Sequence, residues 1–251
     1  MGSDSIAAIV LGLAFGGAML GMKLRRVLPD DHLSSDSKDV VKLAMGLVAT
    51  MAALVLGLLT GSAKSTFDTL DGELKQTSVN VIILDHSLAH YGPETKDIRD
   101  LIRAALVSRL ATIWPEEVSD PARTPKLPGD IEGLEDRIRG LAPQNDAQRA
   151  LRARALQSAA EVLRTRWLMF GGGGNSVQTP LLIVLTFWLT ALFASFGVLA
   201  PRNMTVIVVL FVAAMSVSGS VFLILEMNQP MQGLLKVSSA PLRYALEHID
   251  Q

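Results

Sequence analysis

Residues Val40 to Asp68 read VVKLAMGLVATMAALVLGLLTGSAKSTFD. From Val40 to Ser62 the stretch is apolar apart from Lys42, and it exceeds the roughly 20 residues a helix needs to cross hydrocarbon. It is also lopsided. At helical spacing Lys42, Gly46, Thr50, Ala53, Gly57, Gly61 and Lys64 fall on one stripe, and Leu47, Met51, Val55 and Leu59 on another. The small stripe permits close approach of another helix, which is how spans associate when lipid gives them no hydrophobic reason to do so. The large stripe then faces lipid, another span or an oligomer axis.

Three further runs resemble this one in length and polarity. Ile6 to Met22 is uncharged, Leu181 to Ala200 stops at Pro201, and Met204 to Leu225 stops at Glu226. The last two are separated by PRN, too short for anything but a tight antiparallel hairpin. The first run lacks a basic leader and a small-residue cleavage site, and its charges (Lys23, Arg25, Arg26) follow it. It reads as a retained anchor, not a signal peptide. Its Gly12 and Gly16, with Gly17 and Gly21, form overlapping small-xxx-small patterns and point to helix packing.

Composition agrees with a membrane bundle. Of 251 residues only 19% are charged, 49% are apolar, and the formal net charge is −1. Such a balance gives no footprint for nucleic acid. The absence of cysteine removes disulfides, thiolate metal sites and cysteine nucleophiles. The sequence holds no Ser/His/Asp set, no paired intramembrane carboxylates and no H-E-x-x-H, so no enzyme and no cofactor is expected. GGGGNS, beginning at Gly171, is a linker, since no Lys-Ser/Thr follows it as a phosphate loop requires.

The polar middle reads as helices throughout. The second span meets no breaker until Gly92-Pro93, which predicts one helix running from lipid to about Tyr91. A second helix fits 94–114, with Leu101, Ile102, Ala105, Leu106, Leu110 and Ile113 on one face. Residues 115–130 are proline-punctuated loop, and a short helix covers Ile131 to Leu141. A long alanine- and arginine-rich helix, capped by Asn145 or Asp146, precedes the third span. The predicted class is all-α, a four-span bundle. Its expected divisions are residues 1–62 (spans one and two), 63–178 (helical extramembrane region), 179–226 (spans three and four) and 227–251 (a tail docking on the bundle).

Candidate sites are few. Lys64, with Thr60 and Ser62, marks the polar exit of span two, either as a snorkelling lysine or as one of a ring of cations. His86 and His90 stand four apart, a spacing that can hold zinc, but the surrounding sequence offers only Glu94 as a further ligand. Ser216, Ser218 and Ser220 are expected to return their hydroxyls to the backbone four residues back.

Four stretches together resemble a family: GLLTGSAKSTFDTLDGEL from Gly57, LDHSLAHYGPET from Leu84, the arginine-rich helix before span three, and LEMNQPMQGLLKVSSAPLRYAL from Leu225. The chain is similar from Lys38 to Leu246 to the bacterial bestrophin-like membrane proteins, and more distantly to bestrophins, which form homopentameric anion channels. The resemblance implies a multi-pass protein of the bacterial inner membrane with lipid and its own copies as partners. It also implies that the second span lines a pore. Leu47, Met51 and Val55 then match an apolar neck, and Thr60, Ser62, Lys64, Ser65 and Phe67 its polar exit. The acidic cluster of calcium-regulated bestrophins is missing after NQP, so calcium gating is not implied. The alternative is a non-conducting scaffold that binds a partner through its helical head. Charges after span one place the termini outside by the positive-inside rule, whereas the resemblance places them in the cytoplasm.

Overall fold

The computed structural model describes residues 2–29, 34–117, 133–171, 179–231 and 233–249. Eight α-helices follow in order: α1 (Ser3–Leu24), α2 (Ser35–Tyr91), α3 (Lys96–Ile113), α4 (Leu134–Arg139), α5 (Asp146–Gly171), α6 (Thr179–Leu199), α7 (Met204–Met227) and α8 (Ala240–His248). Among the described residues there is no strand. Helices α1, α2, α6 and α7 are each long and apolar enough to cross a bilayer. The chain is all-α, as its pattern predicts.

Local chemistry sets the helix limits. α2 is one unbroken helix of 57 residues, about 86 Å at 1.5 Å per residue, nearly three times the thickness of hydrocarbon. It ends at Gly92, whose φ of 149° is open to glycine but costly for any side chain. Thr95 then closes the turn by donating to the Leu88 carbonyl at 2.7 Å. Asn145, not Asp146, caps α5 by accepting the Gln148 N–H at 2.8 Å, while Gln148 accepts the Gln144 N–H at 2.7 Å. Asn203 caps α7 through the Val206 N–H at 2.8 Å. The short helix predicted over Ile131–Leu141 is confined to Leu134–Arg139 between Gly133 and Gly140. Of the expected 115–130 loop, Pro115–Glu117 form a 3-10 turn. Residues 118–130, and the linker over 172–176, lie outside the described residues.

The helices form two compact units. The span unit holds α1, α2 as far as Thr66, α6, α7 and the segment 233–235. Its core joins Val10 of α1, Ala52 and Leu59 of α2, Leu185 and Leu189 of α6, and Val221 and Ile224 of α7. α1 and α6 meet backbone to backbone: a Cβ on Gly17 would lie 3.0 Å from the Thr190 carbonyl oxygen, and one on Gly21 3.0 Å from the Val198 nitrogen. Gly197 returns the contact, 3.0 Å from the Met22 nitrogen. Arg25 donates to the Ala200 carbonyl at the end of α6, where the helix presents unpaired oxygens. Phe15 meets Phe211 edge-to-face at 5.2 Å. Ser216 and Ser220 bond back along α7 as expected. Ser218 does not. It is buried and donates at 2.7 Å to the Ala7 carbonyl, joining α7 to α1.

The helical unit comprises α2 from Phe67, α3, α4, α5, α8 and the tail segments beside α8. Leu84 and Leu88 of α2, Leu101 and Leu110 of α3, Ile138 of α4, Ala155 and Ala159 of α5 and Leu242 of α8 share one core. The tail is stitched down by Trp114, whose buried indole N–H donates to the Val237 carbonyl at 3.0 Å, and by Lys236, which pairs with Glu116 at 2.8 Å. Its segments are divided between the two units, 233–235 with the spans and 230–231 and 236–249 with the helical unit. Substituting Trp114→Phe removes the bond to the tail and leaves a buried carbonyl unmatched. It should lower stability by about 2 kcal/mol in a urea titration.

Candidate pore face of the second span

α2 is bound to its neighbours by one narrow face. Its apolar window is 11% buried, against 39% for α1 and 28% each for α6 and α7. The bound face carries Met45, Val48, Ala52, Leu56, Leu59 and Ala63. Opposite it the helix is open along its membrane length.

That open face is made of two adjoining rows. One is bulky: Leu43, Leu47, Leu54 and Leu58 are 78%, 65%, 75% and 63% exposed, with Met51 beside them. The other is small: Gly46, Ala53, Gly57 and Gly61 are exposed, and nothing approaches within 4 Å of where a Cβ would stand on the three glycines. Thr50 and Thr60 lie on the same open side and satisfy their hydroxyls within the helix, on the carbonyls of Leu47 and Leu56 at 2.7 and 2.8 Å. A threonine in lipid has the same need, so these bonds speak for neither environment.

The structure therefore splits the expected neck. Leu47 and Met51 point away from the chain's own bundle, whereas Val55 is half-buried against it. The outward row continues through Leu54 and Leu58, two residues the spacing argument passed over. A step of four residues advances a helix by about 40°, so a row 47, 51, 55 drifts by about 80° around the cylinder, while 47, 54, 58 stays within about 40°. That heptad-like spacing was legible, but which bearing faced the bundle was not.

The packing glycines are redistributed too. Within the chain Gly12 and Gly16 meet nothing within 4 Å, and the close approach falls on Gly17, Gly21 and Gly197. Gly46, Gly57 and Gly61, expected as packing positions, likewise have no neighbour in the single chain.

At the exit of the span Thr60, Ser62 and Lys64 are all exposed. At the end of α7, Glu226 is buried and accepts the Leu234 backbone N–H, so the turn after Asn228 is closed by a carboxylate. His86 and His90 stack at 4.1 Å between ring centroids, and the His90 Nδ1 engages the His86 carbonyl at 2.9 Å. That engagement takes up one nitrogen of the pair. Among the described residues no group of three His, Cys, Asp or Glu side chains is placed to hold a metal ion.

A family model for the bestrophin-like domain matches residues 12–242. The chain belongs to the bestrophin-like family. The match runs from within α1 into α8, so it includes all four spans and the helical unit between them. Four apolar helices and this family together make it a membrane protein related to bestrophins. No curated protein and no solved structure matches it.

Proposed function

We propose that the chain assembles with copies of itself, as a pentamer by the family likeness, around an ion path lined by α2. The observation that supports this is the uncovered face of α2, the least buried of the four spans. Lipid can cover leucines, so the bulky row alone decides nothing. The small row beside it gives the direction: at Gly46, Gly57 and Gly61 the surface is open to the backbone, and a second helix can approach there closely. With that row against the neighbouring copy, Leu47 and Met51 turn toward the axis as an apolar neck that gates by dewetting. Val55 stays with its own bundle.

Lys64 repeated around the exit concentrates anions at the mouth, so conduction is anion-preferring. The setting is the bacterial inner membrane. Tests are particle mass in nanodiscs and flux in liposomes. Replacing Leu47 and Met51 together by serine is expected to raise anion leak roughly tenfold, the effect of lowering a barrier by ~1.4 kcal/mol. Lys64→Glu should shift selectivity toward cations in ion-substitution recordings. A monomer in nanodiscs, or flux indifferent to the double variant, would exclude the pore.

A further inference from the structure

Two exposed imidazoles stand on one face of α2 just before its end at Tyr91. His86 and His90 are one helical turn apart, and their ring centroids lie at 4.1 Å. The His90 Nδ1 meets the His86 carbonyl oxygen at 2.9 Å. A carbonyl only accepts, so that nitrogen carries the proton and the His90 lone pair is left on Nε2. Metal-binding histidines are commonly held in this way: the second ring nitrogen donates to a carbonyl or carboxylate, which fixes the tautomer and makes the free nitrogen a better donor to a metal.

The nearest carboxylate is already spent. Asp85 is buried and gives both oxygens to Arg99. With no group of three ligating side chains among the described residues, the pair offers two nitrogens and leaves the other positions of an ion to water. Structural zinc takes four protein ligands and is poorly served by such a set. Copper(II) suits it better, since imidazole is a good ligand for it, it accepts a tetragonal field, and it stands at the top of the divalent affinity order.

The chain carries its own control. On α8, Tyr244 and His248 repeat the arrangement, with ring centroids at 4.0 Å and the His248 Nδ1 on the Tyr244 carbonyl at 2.8 Å. The stacking and the carbonyl bond are therefore helical habits. What sets α2 apart is a second imidazole where α8 has a tyrosine.

We propose that His86 and His90 form a bidentate site for a divalent transition-metal ion, copper(II) foremost, held by Nε2 of His90 and a ring nitrogen of His86. Both ligands belong to one helix of one chain, so the site depends neither on assembly nor on conduction. An ion held there fastens the last turn of α2 ahead of the Gly92 break.

The test is a copper(II) titration of the full-length protein in phosphatidylcholine nanodiscs, followed by electron paramagnetic resonance, with empty nanodiscs as the blank. Saturation at one ion per chain is expected, with hyperfine structure from two imidazole nitrogens. His86→Gln and His90→Gln should each weaken binding at least about tenfold, because each ends chelation, and His248→Gln should leave it unchanged. Both glutamine positions are exposed, and unchanged circular dichroism in these variants separates loss of a ligand from loss of the fold. Uptake matching the blank, a single-nitrogen spectrum, or affinity unchanged in both glutamine variants would overturn the proposal. So would loss of the signal in His248→Gln, which would move the ion to α8, or saturation at one ion per two chains, which would assign it to a contact between copies.

Discussion

Gly21→Ala and Gly197→Ala are each expected to cost the protein about 3 kcal/mol or more, an unusual loss for one added methyl group. The new Cβ of residue 21 would fall inside the van der Waals contact of the Ala194 carbonyl and 2.9 Å from its carbon. The new Cβ of residue 197 would meet the Ala18 carbonyl in the same way, 2.9 Å from that carbon. In both cases the obstacle is backbone inside a helix, which cannot swing aside as a side chain can. Relief requires α1 and α6 to separate, and that loosens Phe193 and Met22 along the same seam. The comparison within α1 makes the result specific. Gly12→Ala and Gly16→Ala add a methyl group to open space and should leave stability within about 0.5 kcal/mol, or improve it through helix propensity. Unfolding in detergent with rising denaturant measures all four. Equal losses across the set would mean that the α1–α6 seam is not where the spans lock.

Asp85→Ala is the second large effect, about 3 kcal/mol, located in the helical unit. Arg99 reaches from α3 to α2 and donates from Nε to Oδ1 at 2.7 Å and from Nη2 to Oδ2 at 2.9 Å. Asp85 is 6% exposed and Arg99 21%, so the pair is largely out of water. Removing the carboxylate takes both of these bonds from a largely buried guanidinium, and that is the costly way to break such a pair. Changing both residues, Asp85→Leu with Arg99→Met, should recover much of the loss, because an apolar pair needs no desolvation of charge. A double-mutant cycle read by urea unfolding checks this. A double variant as unstable as Asp85→Ala would show that packing around the pair, not charge, sets its worth.

Much of the architecture was legible in one dimension. Span length, the Gly92-Pro93 break that ends α2, the cap before α5 and the apolar face of α3 are all local statements, and each appears in the structure. Sites fared less well. The small-xxx-small pattern in α1 marked four glycines alike, yet the structure uses Gly17 and Gly21 and leaves Gly12 and Gly16 open. Val55 matched a neck by spacing and is half-buried against its own bundle, while Leu54 and Leu58 project outward. Ser218 carried the same pattern as Ser216 and Ser220 but joins two helices.

What the amino-acid order determined by itself was where helices begin and end and which of them can live in lipid, because those depend on hydrophobicity, caps and breakers within a few residues. What only the tertiary structure decided was the bearing of each helix about its own axis. In a span nearly every side of the cylinder is apolar, so no contrast between oily and wet faces fixes the rotation. It is set by which residues let two backbones come close, and that is a property of the pair of helices and not of either sequence alone.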